Sequence, residues 1–214
     1  MKFSVAKVTD QNIPRMIVVG IENTDRDKNY TPTANSGIEH NFETAGEADQ
    51  FLEFLEDELM PFLESRYRVA SHRCIVGWSF SGLFATYSAI KKPDLFNFHL
   101  CISPAIWWDN ELVYEEMQNI SGFDQYKRIV FTLGKGEEGG YVFESTKRLL
   151  NRLQEDPIDR LSFQLLEFEG VGHSWGVSSA INKGLQTLYQ EFIPPSDIIS
   201  GQMNKLNEYY EKAE

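Results

Sequence analysis

Apolar positions in this chain come in two rhythms. Compact runs stand at 16–21, 74–77, 98–102, 128–133 and 161–168, each long enough for one strand. The first four lack the polar alternation of a half-exposed strand, as expected of parallel strands covered on both faces. Between them the spacing changes to that of a helix. Phe51, Leu55, Leu59 and Phe62 form one stripe, with Pro61 expected to kink its last turn. Val142, Thr146, Leu149 and Leu153 form a second, and Val177, Ala180, Ile181, Gly184, Leu185, Leu188 and Phe192 a third. Strands alternating with helices of this length predict right-handed βαβ units on a mainly parallel sheet, an α/β fold. After Pro194-Pro195 a last helical segment carries Ile199, Met203, Leu206 and Tyr210 on one face, with Ser196-Asp197 as capping oxygens. The organisation is one domain over 1–193 and a helical extension over 194–214.

Composition narrows the classes. At 214 residues the chain can bury one sizeable core, and an apolar fraction of 42% with 24% charge is that of a globular protein. Thirty-two acidic against twenty basic residues give a formal charge of -12. Such a field repels phosphate backbones and anionic membrane surfaces, so neither nucleic acid nor membrane is expected as a partner. The two cysteines, Cys74 and Cys101, fall in expected buried strands and read as apolar thiols, with no metal site. No apolar run approaches the ~18 residues of a membrane span, and no signal-peptide core stands at the N-terminus. The expected compartment is the cytoplasm, or the periplasm if the native start lies upstream of Met1.

The candidate chemistry lies where the second run ends. Cys74-Ile75-Val76 meets Gly77-Trp78-Ser79-Phe80-Ser81-Gly82, and a helical pattern follows. A strand, a sharp turn and a helix place Ser79 at the apex, and such a turn needs small residues two positions either side of it. Gly77 and Ser81 meet that need, Ser81 standing where G-x-S-x-G has glycine. Activating a serine takes a base, an acid to orient it and donors for the oxyanion. Of four histidines, His40 lies in a loop, His72 at a strand edge and His99 within a strand. His173 instead follows the last strand in Gly170-Val171-Gly172-His173, just before the third helical stripe. The acid is expected in the glycine-rich loop after 128–133, as Glu137 or Glu138, with Asp109 as the substitute. Serine, acid, histidine is the chain order of α/β-hydrolases. The oxyanion donors are expected to be the Phe80 amide and one from Ile21 or Glu22.

At these residues the chain resembles a family. Val18-Val19-Gly20-Ile21-Glu22-Asn23-Thr24-Asp25-Arg26 with Tyr30-Thr31-Pro32, the Ser79 turn, Pro93-Asp94-Leu95-Phe96 and Ile102-Ser103-Pro104-Ala105-Ile106-Trp107-Trp108-Asp109-Asn110 are similar to segments of the esterase D and ferric-enterobactin (siderophore trilactone) esterase group. The resemblance covers roughly 13–192. It implies an α/β-hydrolase fold, the acid on Glu137 and the base on His173. It also implies strands ahead of the segment near Met16 that this chain would lack, leaving an exposed sheet edge open to self-association. The expected activity is cofactor-free hydrolysis of a small-molecule carboxylic ester. Trp107, Trp108 and Arg26 are expected on the substrate side. A hydrolase-fold interaction protein without activity and an acyltransferase are the alternatives.

Overall fold

The computed structural model describes residues 2–10, 13–23, 25–35 and 42–192. Thr24, His40 and the 194–214 extension lie outside the described residues. β1 (Lys2–Asp10) and β2 (Ile13–Glu22) pair antiparallel, Val5 opposite Val19 and Phe3 opposite Ile21. α1 (Arg26–Tyr30) starts at Asp25, whose carboxylate accepts from the Lys28 amide at 3.1 Å. α2 (Ala48–Phe54) runs through a π-helical turn, Leu55–Leu59, into α3 (Met60–Arg66). Pro61 explains that turn: it has no N–H for the carbonyl four residues back, and the Met60 amide reaches to the Leu55 carbonyl instead. The expected kink is thus a widening just ahead of the proline.

β3 (Cys74–Trp78), α4 (Phe80–Lys91), β4 (Phe98–Ile102), α5 (Trp108–Met117), β5 (Gly122–Gly134), α6 (Tyr141–Glu155), β6 (Asp159–Phe168) and α7 (Val177–Tyr189) complete the order. The last four strands form a parallel sheet in the order β3-β4-β5-β6, with Val76 beside Leu100 and Leu100 beside Val130. Helices cover both faces. On one side Phe51, Leu52, Leu83, Phe84, Ile129 and Phe131 belong to the larger core. On the other, Ala180, Leu188 and Tyr189 of α7 pack on Phe98, Leu100 and Val130. This is the mainly parallel α/β sheet expected from the pattern and the α/β-hydrolase arrangement that the resemblance implies, and among the described residues no helix is long and apolar enough to cross a membrane.

Two expectations need correction. The 16–21 run is not a fifth strand of the parallel sheet, because β2 pairs with β1 in a separate two-stranded sheet and makes no ladder with β3. One strand, β1, does precede it; its weak apolar pattern follows from its position on the open side of the hairpin, where Phe3, Ser4 and Ala6 are exposed. The hairpin nevertheless keeps the layering of the sheet. Met16 packs with the α7-side cluster, as do Cys74 and Trp78, while Val5, Val19 and Ile21 pack with the opposite one, as does Ile75.

Candidate active site

Ser79 sits between β3 and α4 at φ 59 and ψ −117, a conformation that costs a non-glycine residue on the order of 1–3 kcal/mol. The surroundings enforce it. The Ser79 amide donates to the Ile102 carbonyl at 2.9 Å, extending the β3–β4 ladder, and its carbonyl accepts from Leu83 at 2.9 Å and Ala105 at 3.2 Å. Gly77 is required by space, since a Cβ there would lie 1.9 Å from the Ser81 carbonyl oxygen. Ser81 does more than stay small. Its hydroxyl accepts from the Trp78 amide and donates to the Trp78 carbonyl, both at 2.8 Å, pinning the turn closed. The side chain that departs from the glycine pattern therefore braces the elbow and is not a second nucleophile.

His173 and Glu137 come from the loops after β6 and β5. His173 Nδ1 lies 2.7 Å from Glu137 Oε2, the carboxylate side chain being 7% exposed and the imidazole 35%. With Nδ1 beside a carboxylate, that nitrogen carries the proton and Nε2 is left as an acceptor. The other carboxylate oxygen, Oε1, accepts from the Ser103 hydroxyl at 2.6 Å and from the Gly134 amide at 3.1 Å. Burial pushes the Glu137 carboxyl upward, but hydrogen bonds from His173, Ser103 and the Gly134 amide outweigh it, and the group stays below its ordinary value. The two loops are joined directly: the Gly136 amide donates to the Val171 carbonyl at 2.9 Å, and a Cβ on Gly134 would meet that carbonyl oxygen at 2.4 Å. That approach selects between the paired glutamates. Glu138 points outward and is exposed. Asp109 is occupied elsewhere, its carboxylate accepting from Thr33 at 2.8 Å and Asn35 at 3.0 Å.

Ser79 and His173 are linked through Trp78. Its indole Nε1 donates to the His173 carbonyl at 2.9 Å, and its ring lies 5.3 Å from the imidazole. The Phe80 amide, first in α4, has no carbonyl of its own helix to bond, as an oxyanion donor at such an elbow requires. Ile21 and Glu22, the other expected donors, end β2, where Ile21 stands opposite Phe3; no ladder joins β2 to β3, the strand that leads into Ser79.

The three substrate-side candidates divide. Arg26 is exposed, its guanidinium 5.3 Å above the Trp78 ring and 3.5 Å from the Trp78 carbonyl, so it reaches the elbow. Trp107 is half-buried and packs against Phe80 and Tyr141. Trp108 is wholly buried, with its indole N–H donated to Thr33 at 3.1 Å, and is a core residue rather than a substrate contact. Two aromatic residues missed in the sequence are Tyr141, 72% exposed beside Trp107, and Trp175, 90% exposed two residues after His173. Among the described residues no three His, Cys, Asp or Glu side chains gather as a metal site would require.

The family model described as Putative esterase matches residues 2–185. An IroE-like serine hydrolase from Shewanella oneidensis superposes with a TM-score of 0.82 at 26% identity, over 94% of this chain and 67% of that one. The ferri-bacillibactin esterase BesA of Bacillus subtilis (strain 168) is 27% identical in an alignment 180 residues long that covers 75% of this chain and 62% of BesA. A siderophore enterobactin esterase of Emericella nidulans is 39% identical over 84 residues, 37% of this chain and 28% of its own. The chain spans less than two thirds of the length of the curated relatives it matches. Because the matched region runs from β1 into α7 and takes in the elbow, the acid loop and the histidine loop, the chain belongs to this esterase family.

Proposed function

We propose that this protein is a serine carboxylic ester hydrolase that works through an acyl-enzyme on siderophore-type or simple acyl esters. The carrying observation is the carboxylate–imidazole pair, Glu137 to His173 at 2.7 Å, held by Trp78 beside a strained serine. Ser79 Oγ attacks the ester carbonyl carbon while His173 Nε2 takes its proton. The carbonyl π pair moves onto oxygen, where the Phe80 amide receives it, and returns as the ester C–O bond breaks and His173 protonates the leaving alcohol. Water repeats the sequence and frees the acid. No cofactor enters. The names of the relatives support the siderophore branch of this reading. A net charge of -12 favours a plain acyl ester over an anionic ferric complex, with Arg26 as the cation beside the elbow.

A fluorophosphonate probe tests the reading without a guess at the ester. The protein takes up one label, Ser79→Ala takes up none, and Ser81→Ala still reacts because its hydroxyl braces the turn and attacks nothing. Labelling of Ser81 in preference to Ser79 would reverse the assignment. We place the protein in the cytoplasm, where a reducing pool suits Cys74 and Cys101, both free thiols. We also propose self-association over the sheet edge that β3 leaves unpaired; sedimentation velocity yielding only monomer at micromolar concentration would remove that part.

A further inference from the structure

Ser103 combines a backbone cost with a hydrogen bond that ties it to the candidate site. It follows the last residue of β4 at φ 39, a left-handed conformation that favours glycine. Its amide continues the sheet by donating to the Thr132 carbonyl at 2.8 Å, which fixes the direction of its side chain. The hydroxyl then donates to Glu137 Oε1 at 2.6 Å, within the range of a charge-assisted O–H···O⁻ bond. The residue is 4% exposed, so no water stands ready to replace that donor. Glu137 Oε2 receives His173 Nδ1, and Oε1 receives Ser103 together with the Gly134 amide. Of these three donors only Ser103 can be removed by substituting a side chain outside the serine–acid–histidine set.

We propose that Ser103 is a positioning residue of the hydrolytic site: its hydroxyl locks the Glu137 carboxylate, ionised and in one rotamer, so that Glu137 holds the His173 imidazole toward Ser79. The inference rests on the ester-hydrolase reading above and assigns the hydroxyl no contact with substrate. Ser103 lies at the end of β4 and reaches the site only through the carboxylate. Three consequences follow from that placement. Removing the hydroxyl lowers kcat and leaves KM in place. The acid-side midpoint of the kcat–pH profile moves upward, because a carboxylate with one donor fewer keeps its proton to higher pH. The loss does not track stability, since glycine at φ 39 relieves the backbone while deleting the donor.

The experiment compares Ser103→Ala and Ser103→Gly with the unaltered protein, using a soluble aryl ester and thermal unfolding. Both variants are expected to lose about ten- to hundredfold in kcat, as befits one hydrogen bond to a charged group, with KM within twofold. Ser103→Gly is expected to melt no lower than Ser103→Ala. Equal kcat and an unmoved pH profile in both variants overturn the proposal. So does a loss confined to Ser103→Ala that Ser103→Gly restores, which would make the residue purely architectural. If the unaltered protein takes up no fluorophosphonate at Ser79, the hydrolase reading itself has failed, and the inference is read instead from the imidazole. In ¹H–¹⁵N spectra the His173 Nδ1–H resonance shifts in both variants if Ser103 holds Glu137, and an unchanged resonance overturns it.

Discussion

Glu137 must stay ionised although its side chain is 7% exposed, and three donors on two oxygens make that possible. Glu137→Gln removes the charge that, in the proposed reaction, stabilises the imidazolium, and lets the amide choose either face. We expect at least a tenfold loss of turnover, against up to ~10⁴ where a strict triad loses its acid. Glu138→Gln is expected to change turnover less than threefold, since that side chain is exposed and away from His173. Steady-state kinetics on both variants, after circular dichroism shows them folded, decides it, and equal losses would mean that the loop holds two acids. Sequence order pointed to this loop, because Ser79 and His173 also follow strand ends. It could not separate adjacent glutamates. The separation depends on the Gly134 backbone approaching the Val171 carbonyl, a contact between residues far apart in the chain. The same blindness misplaced Trp108: a Trp-Trp pair looks alike in sequence, and only the fold shows that the second ring is buried with its indole N–H on Thr33.

At the scale of elements, the parallel strands were the most legible part. The expected 98–102 run is β4 itself, and 74–77 falls one residue short of β3. Strands covered on both faces announce themselves as unbroken apolar runs. What periodicity does not announce is a polar group placed inside such a strand, and β4 has one. His99 is wholly buried, with Nδ1 2.9 Å from the Ala85 carbonyl. Burial pushes it down to about 4, the Lys127 charge adding to this and the bond to Ala85 opposing it. The folded protein therefore keeps His99 neutral while the unfolded chain binds a proton at about 6.5. Above about 6.5 the stabilisation is whole, and it is lost as pH falls from there to about 4, by about 3 kcal/mol at most. His72, also lowered by burial, adds to the fall in the same direction. Subtracting the melting profile of His99→Gln from that of the native protein isolates the strand histidine. We expect the variant to be less stable at pH 7 but to lose less between pH 6.5 and 4.5, and parallel profiles would show that His99 does not titrate on unfolding.

Across the whole molecule, the layer of strands is continuous in its faces and broken in its hydrogen bonds. Met16 of β2 and Cys74 and Trp78 of β3 belong to the α7-side cluster, yet the two strands share no ladder. Val18 and Val76 lie on that same face, each 42% exposed, which is unusual for valines in the strands of an α/β layer. The pattern of apolar runs could not reveal the break, because a run of six apolar residues looks the same whether or not its strand joins the main sheet. Cooperativity can. β4 and β5 are paired on both sides, whereas each hairpin strand is tied by one ladder, to the other. Opening the hairpin costs the packing of Val5, Met16, Val19 and Ile21 and leaves the four-stranded sheet intact. Native-state amide exchange is therefore expected to show β1 and β2 opening together, with protection at least about tenfold below that of β4 and β5 and a shallower dependence on denaturant. If the hairpin amides merge with those of β4 at low denaturant, side-chain packing alone couples the two sheets and the break carries no mechanical consequence. If they open separately, Arg26, which follows β2 and reaches the Trp78 carbonyl, lies where a moving unit meets the fixed elbow. Introducing a charge at the exposed Val18 of the hairpin, as in Val18→Lys, should then leave exchange in β4 unchanged.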